Sequence, residues 1–84
     1  MNKEIENWQY EDKKISKEIT FPDFKSALTF VNKVGKLAEE AGHHPDIELG
    51  YGRVKISLTT HSEGKVTDED INLAQQINNI QNGT

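Results

Sequence analysis

Three histidines, the side chains best suited to proton transfer, lie between positions 43 and 61 of this 84-residue chain. His43 and His44 are adjacent and directly precede Pro45, and His61 is the third. The unperturbed pKa of histidine, roughly 6.5, lets an imidazole both donate and accept a proton near neutrality. The grouping therefore predicts general acid and base chemistry at these three positions.

Two carboxylates are spaced so that they can support the imidazoles. Glu39 lies one helical turn before His43, where it can orient an imidazole or hydrogen-bond a substrate. Asp70 falls in the first turn of a predicted second helix, where an acid either stabilises the helix start or fixes the shape of a pocket. Both are candidate site residues in a supporting role.

The predicted path of the chain brings the imidazoles together. Pro45 disfavours helical backbone at His44, so a helix that precedes the pair must end there. His61 lies just beyond a predicted strand that ends at Thr60, and a hairpin can bring that strand end beside the segment starting at Pro45. We therefore predict that His43, His44 and His61 line one small cleft.

Histidines with nearby carboxylates are also typical of sites for zinc or another divalent ion. Adjacent histidines rarely both reach one ion, and the sequence lacks the His-x-His and His-x-x-x-His spacings. We expect no bound metal.

The strongest helical signal covers positions 24 to 41. Asp23 is suited to the N-cap, and Gly42 to the position after the last helical residue. Apolar residues recur there at intervals of three and four, as Phe24, Ala27, Leu28, Val31, Val34, Gly35, Ala38 and Ala41. Phe30 and Leu37 lie off this stripe, and we expect them to form a contact between subunits.

Alternating apolar residues predict four strands, at 8–10, 15–21, 47–51 and 54–58. A polar turn at 11–14 joins the first pair, and Gly50 and Gly52 bracket the turn of the second. Thr67 caps a second helix whose apolar stripe is Leu73, Ala74, Ile77 and Ile80. The predicted fold is α+β: a four-stranded antiparallel sheet with two helices packed on one face, in the order β-β-α-β-β-α.

Length and composition restrict the class of protein. The chain is long enough for a single domain over residues 1–84, and a domain this small favours self-association as a homodimer or homotetramer. It has no cysteine, and its first fourteen residues hold no apolar run, so we expect a cytoplasmic protein without membrane contact. Scattered basic residues and a net charge of −4 argue against nucleic-acid binding.

Several separated positions together match a family signature. They are Glu39-x-x-x-His43-His44-Pro45, Tyr51, Thr60-His61 and Asp70-Ile71-Asn72-Leu73-Ala74. This pattern, which extends from about Trp8 to Ile77, resembles that of the pterin-4a-carbinolamine dehydratases. The resemblance implies dehydration of 4a-hydroxytetrahydrobiopterin to quinonoid dihydropterin, a step in tetrahydrobiopterin recycling, without a metal or organic cofactor.

The resemblance also implies roles for the candidate residues. His44 is expected to be the main proton-transfer group, while His43 and His61 share acid or base duty and bind the pterin. Glu39, Pro45, Thr60 and Asp70 are expected to bind the substrate or to hold the pocket in shape. The alternative is a non-catalytic regulatory or protein-assembly module on the same fold, although such a module has no physical reason to keep three histidines.

Overall fold

A computed structural model describes residues 7–81 and contains four strands and two helices. In chain order these are β1 (Gln9–Glu11), β2 (Lys14–Thr20), α1 (Phe24–Ala41), β3 (Asp46–Gly50), β4 (Arg53–Leu58) and α2 (Asp68–Gln81). The predicted α+β class and the predicted order of elements are confirmed. No helix within residues 7–81 has the length and apolar character needed to cross a membrane.

The strands form one antiparallel sheet in the order β1-β2-β4-β3. β2 and β4 are the two inner strands, and β4 also forms the second hairpin with β3. Val54, Ile56 and Leu58 are fully buried on the helix-facing side of β4. Intervening positions of β4 are polar and less buried, which is the alternation of a sheet covered on one face. α1 packs on β3, β4 and α2.

Both ends of α1 carry the predicted caps. The side chain of Asp23 accepts a hydrogen bond of 2.8 Å from the backbone N–H of Ser26, and this bond lowers the pKa of Asp23 below its ordinary value of 3.8. Gly42 has φ 67° and ψ 27°, the left-handed backbone that glycine adopts without strain. The helix therefore stops directly before the histidine pair.

The buried face of α1 is rotated from the predicted stripe. Ala27, Val34 and Ala38 are buried as expected, whereas Phe24 and Leu28 are exposed. Phe30 occupies the core instead, with its ring centroid 5.3 Å from that of Phe21, and Leu37 also packs partly buried against the core. Phe30 is therefore used within this chain, and the prediction that it contacts another subunit is wrong. A subunit contact through Leu37, which is only partly buried, stays a prediction. Self-association itself stays a prediction.

Candidate active site

His43 is placed by the end of α1. Once Gly42 has turned the chain, the backbone N–H of His43 donates to the Ala38 carbonyl at 3.2 Å, which closes the last turn of the helix. The imidazole points toward the start of α2, where its Nε2 lies 2.5 Å from Oδ1 of Asp70. The His43 side chain is 12% exposed, so one edge of the ring still reaches the surface.

Asp70 is the most buried polar group of the site, with no exposed surface. Its Oδ2 accepts a 2.7 Å hydrogen bond from the hydroxyl of Thr60 and a 2.8 Å hydrogen bond from the backbone N–H of Thr67. Asp70 is the third residue of α2, and a side chain that reaches back to the residue before the helix satisfies a donor that the helix leaves unpaired. The carboxylate thus joins the ends of α1 and β4 to the start of α2.

The hydrogen bonds around Asp70 have a defined direction. The hydroxyls of Thr60 and Thr67 lie 2.7 Å apart, and this distance alone does not show which of the two is the donor. Since the single hydroxyl proton of Thr60 goes to Asp70, the hydroxyl of Thr67 must donate to Thr60. The chain of donors runs from Thr67 through Thr60 to the carboxylate.

The carboxylate of Asp70 also fixes the tautomer of His43. A carboxylate only accepts hydrogen bonds, so Nε2 of His43 carries a proton and donates it to Oδ1 of Asp70. The neutral ring then has its lone pair on Nδ1. A carboxylate oxygen of Glu69 lies 3.6 Å from Nδ1.

His44 has a similar arrangement at the surface. Its Nε2 lies 2.6 Å from Oε2 of Glu39, so this carboxylate orients His44 rather than His43. The His44 side chain is 62% exposed, and its Nδ1 has no partner among residues 7–81. Pro45, half-buried, follows at the start of β3.

His61 lies in a different environment. Its side chain is exposed and lines a cleft together with the β1–β2 turn, and neither His43 nor His44 lines that cleft. No hydrogen bond or ion pair described within residues 7–81 joins His61 to either of the other histidines. Convergence of the three imidazoles on one cleft therefore stays a prediction.

The structure brings some predicted residues together and adds others. His43, Asp70 and Thr60 form one hydrogen-bonded group, and Glu39 joins the neighbouring His44. The hydroxyl of Thr67 and the carboxylate of Glu69 belong to the same group and were missed, because Thr67 was assigned only to helix capping and Glu69 was given no role. Within residues 7–81 no three side chains of the metal-ligating types are grouped to hold an ion.

Comparison with known proteins identifies the family. The sequence profile described as pterin 4 alpha carbinolamine dehydratase matches residues 1–80. The chain belongs to this family. A protein of Sulfolobus acidocaldarius, provisionally named a pterin-4-alpha-carbinolamine dehydratase, is 47% identical over 78 residues, which cover 93% of this chain and 86% of the relative. A provisionally named dehydratase of Nostoc punctiforme is also 47% identical over 78 residues, covering 93% of this chain and 84% of that protein.

Solved structures of the family share the fold. The crystal structure of a transcriptional coactivator/pterin dehydratase from Brucella melitensis is 38% identical and superposes with a TM-score of 0.85, covering 89% of this chain and 82% of that one. A pterin dehydratase-like protein identified as a RuBisCO assembly factor in the alpha-carboxysome is 22% identical, with a TM-score of 0.70 over 86% of this chain and 83% of that one. The second similarity shows the fold alone.

Proposed function

We propose that this chain dehydrates a 4a-hydroxytetrahydropterin to the quinonoid dihydropterin, in tetrahydrobiopterin recycling. The observation that carries the proposal is the matched pair of imidazoles at the end of α1. His43 and His44 each bind a carboxylate through Nε2, so each keeps Nδ1 for proton transfer. Family membership and the provisional names of close relatives support the same substrate class.

The reaction needs two proton transfers and no electron transfer. A general acid protonates the hydroxyl on C4a, the C4a–O bond breaks, and water leaves. A general base removes the proton of the neighbouring N5, and the electron pair of that N–H bond forms the C4a=N5 double bond. A positioned imidazole can serve each transfer, and each such group typically contributes about 10² to 10⁴-fold.

The two histidines suit different parts of this reaction. His44 is open to solvent and is assigned as the main proton-transfer group at the substrate. His43 is held rigidly by a buried carboxylate and shares acid or base duty on the hydroxyl. His61 is the third assigned group, and Glu39, Pro45, Thr60 and Asp70 orient the imidazoles or shape the pocket. The chain acts on a small pterin as a homodimer or homotetramer.

The test is a stopped-flow assay with enzymatically generated 4a-hydroxytetrahydropterin. His44→Ala should lower turnover at least about a hundredfold, since it removes a positioned proton-transfer group. Because His44 is exposed, the fold should be unchanged by circular dichroism. Lys36→Ala, on the exposed face of α1, serves as the matched control and should keep full activity.

Two results would overturn the proposal. Near-wild-type turnover by His44→Ala would remove His44 from its assigned role. Absence of turnover by the wild-type chain, at a concentration where a relative from the same family is active, would favour the non-catalytic module instead.

A further inference from the structure

A second carboxylate faces the imidazole of His43. Glu69, the second residue of α2, has a carboxylate oxygen 3.6 Å from Nδ1 of His43, while Asp70 holds Nε2. That distance is beyond the range of a hydrogen bond, and no other contact of the Glu69 side chain is described within residues 7–81. The Glu69 side chain is 67% exposed, so it borders the site from the solvent side. Its oxygens can therefore accept hydrogen bonds from a bound molecule.

The segments that meet at His43 carry acidic residues and no lysine or arginine. They are the last turn of α1, the residues that follow it up to position 46, and the first turn of α2. Their carboxylates are Glu39, Glu40, Asp46, Asp68, Glu69 and Asp70. Lys13 and Lys14 line the cleft that contains His61, which neither His43 nor Glu69 lines. A site bordered by charges of one sign repels a molecule of that sign.

The reaction proposed above decides which part of a pterin lies beside Glu69. His43 acts on the hydroxyl that C4a carries, so C4a lies close to Nδ1. C4a is bonded to C4, which bears a carbonyl oxygen, to C8a, which bears no hydrogen, and to N5, which bears the hydrogen that the reaction removes. A carboxylate only accepts hydrogen bonds, so it is repelled by the carbonyl oxygen and attracted by N5–H. The N5 edge and the side chain on the adjacent C6 therefore face Glu69.

We propose that Glu69 selects pterins whose C6 side chain is uncharged and carries hydroxyl groups. The inference rests on the proposed dehydratase function and names the substrate class of that same site. A hydroxyl on the C6 side chain donates to the Glu69 carboxylate, whereas a phosphate or carboxylate at that place meets a like charge. A phosphate ester carries a charge of about −1.5 to −2 near neutrality. Phosphorylated pterins and pterins with an acidic tail are therefore the disfavoured ligands.

The test compares 7,8-dihydroneopterin with its 3′-monophosphate, which differ only in the phosphate group. Isothermal titration calorimetry gives the Kd of each ligand for the wild-type chain. We expect dihydroneopterin to bind about tenfold or more tightly, because a multiply charged group faces several carboxylates and each exposed charge pair contributes up to about fivefold. Raising the ionic strength to about 1 M, where the screening length is about 3 Å, should shrink the ratio of the two Kd values.

Three variants locate the effect at Glu69. Glu69→Gln keeps the size of the side chain and should reduce the ratio about two- to fivefold. The change should come from tighter binding of the monophosphate, since the glutamine amide still bonds a hydroxyl. Glu69→Lys reverses the charge and should bring the two Kd values to about parity. Glu48→Gln removes an exposed carboxylate from the sheet face that points away from the helices, and it should leave the ratio unchanged.

The outcomes separate this inference from the proposed function, because turnover of 4a-hydroxytetrahydropterin is measured on the same samples. Equal Kd values in the wild type, or a ratio that Glu69→Gln leaves unchanged, would overturn the role of Glu69 while turnover still supports the dehydratase. Tighter binding of the monophosphate would place the C6 side chain toward Lys13 and Lys14 and would also overturn it. Absence of both turnover and binding would overturn both proposals.

Discussion

Asp70→Asn tests whether Asp70 sets the tautomer of His43. The asparagine oxygen can keep the two hydrogen bonds that Oδ2 accepts from Thr60 and Thr67. Its NH₂ group then takes the place of Oδ1 and faces Nε2 of His43. Because NH₂ donates, the neutral imidazole must move its proton from Nε2 to Nδ1. The lone pair on Nδ1, which the proposed mechanism uses, is lost.

The size of the effect follows from these contacts. Loss of one correctly protonated imidazole should lower turnover about a hundredfold, the lower end of the range for general acid–base catalysis. Two hydrogen bonds to a charged acceptor become hydrogen bonds to a neutral amide oxygen, and the third becomes one that the amide NH₂ donates to His43; each is weaker by about 1 kcal/mol. A neutral amide is less costly to bury, which offsets part of that loss. We expect a net destabilisation of about 1 to 2 kcal/mol, which leaves the domain folded.

Three measurements separate the tautomer effect from simple unfolding. Stopped-flow kinetics gives turnover, urea unfolding gives the free energy of unfolding, and ¹⁵N chemical shifts of the His43 ring give the tautomer directly. Glu40→Gln, which removes a carboxylate from an exposed position of α1, is the matched control. Turnover within about threefold of wild type in a folded Asp70→Asn protein would refute the reasoning. So would a His43 ring that keeps its proton on Nε2.

Three other substitutions test the fold around the site. Gly52→Ala should destabilise the chain by about 1 to 3 kcal/mol in urea unfolding, because a Cβ there would lie 2.8 Å from the Phe21 carbonyl oxygen; an unchanged midpoint would contradict this. Because the pKa of Asp23 is lowered in the folded chain, its cap stabilises the fold fully above pH 3.8. That stabilisation is lost as pH falls through the pKa that Asp23 has in the folded state. The stability advantage of wild type over Asp23→Ala in thermal unfolding should therefore shrink toward about pH 3, and a constant difference would exclude the charged cap. Thr67→Val should cost about 1 kcal/mol in urea unfolding, since it removes the hydroxyl that donates to Thr60, and a neutral effect would exclude that hydrogen bond.

The sequence predicted the helices well where a local signal marked their ends. α1 begins at Phe24 and ends at Ala41, as Asp23 and Gly42 indicate, because caps act over a single turn. The buried face of α1 was harder to predict from the sequence. Phe24 and Leu28 fit a helical stripe as well as Phe30 does, and only packing against the sheet decides which of them enters the core.

The sequence indicated which residues belong to the candidate site better than it indicated which of them contact one another. Asp70 was expected to shape the pocket, and it does contact His43 and Thr60. The partner of Glu39 could not be assigned, because His43 and His44 both follow the end of α1 and the left-handed turn at Gly42 decides which ring faces back. The roles of the histidines in catalysis stay predictions.

The pairing of β2 with β4 has a consequence for how the chain folds. These two strands flank the whole of α1 and β3 in sequence, so the centre of the sheet closes only when distant segments meet. An isolated hairpin of two short strands is marginally stable in water, and neither half of this chain can bury its apolar face alone. His43 lies in the segment between β2 and β4, whereas Thr60 and Asp70, which it joins, follow β4. These hydrogen bonds therefore form only when the end of α1, the segment after β4 and the start of α2 are packed together, and a chain in which those elements are apart has none of them.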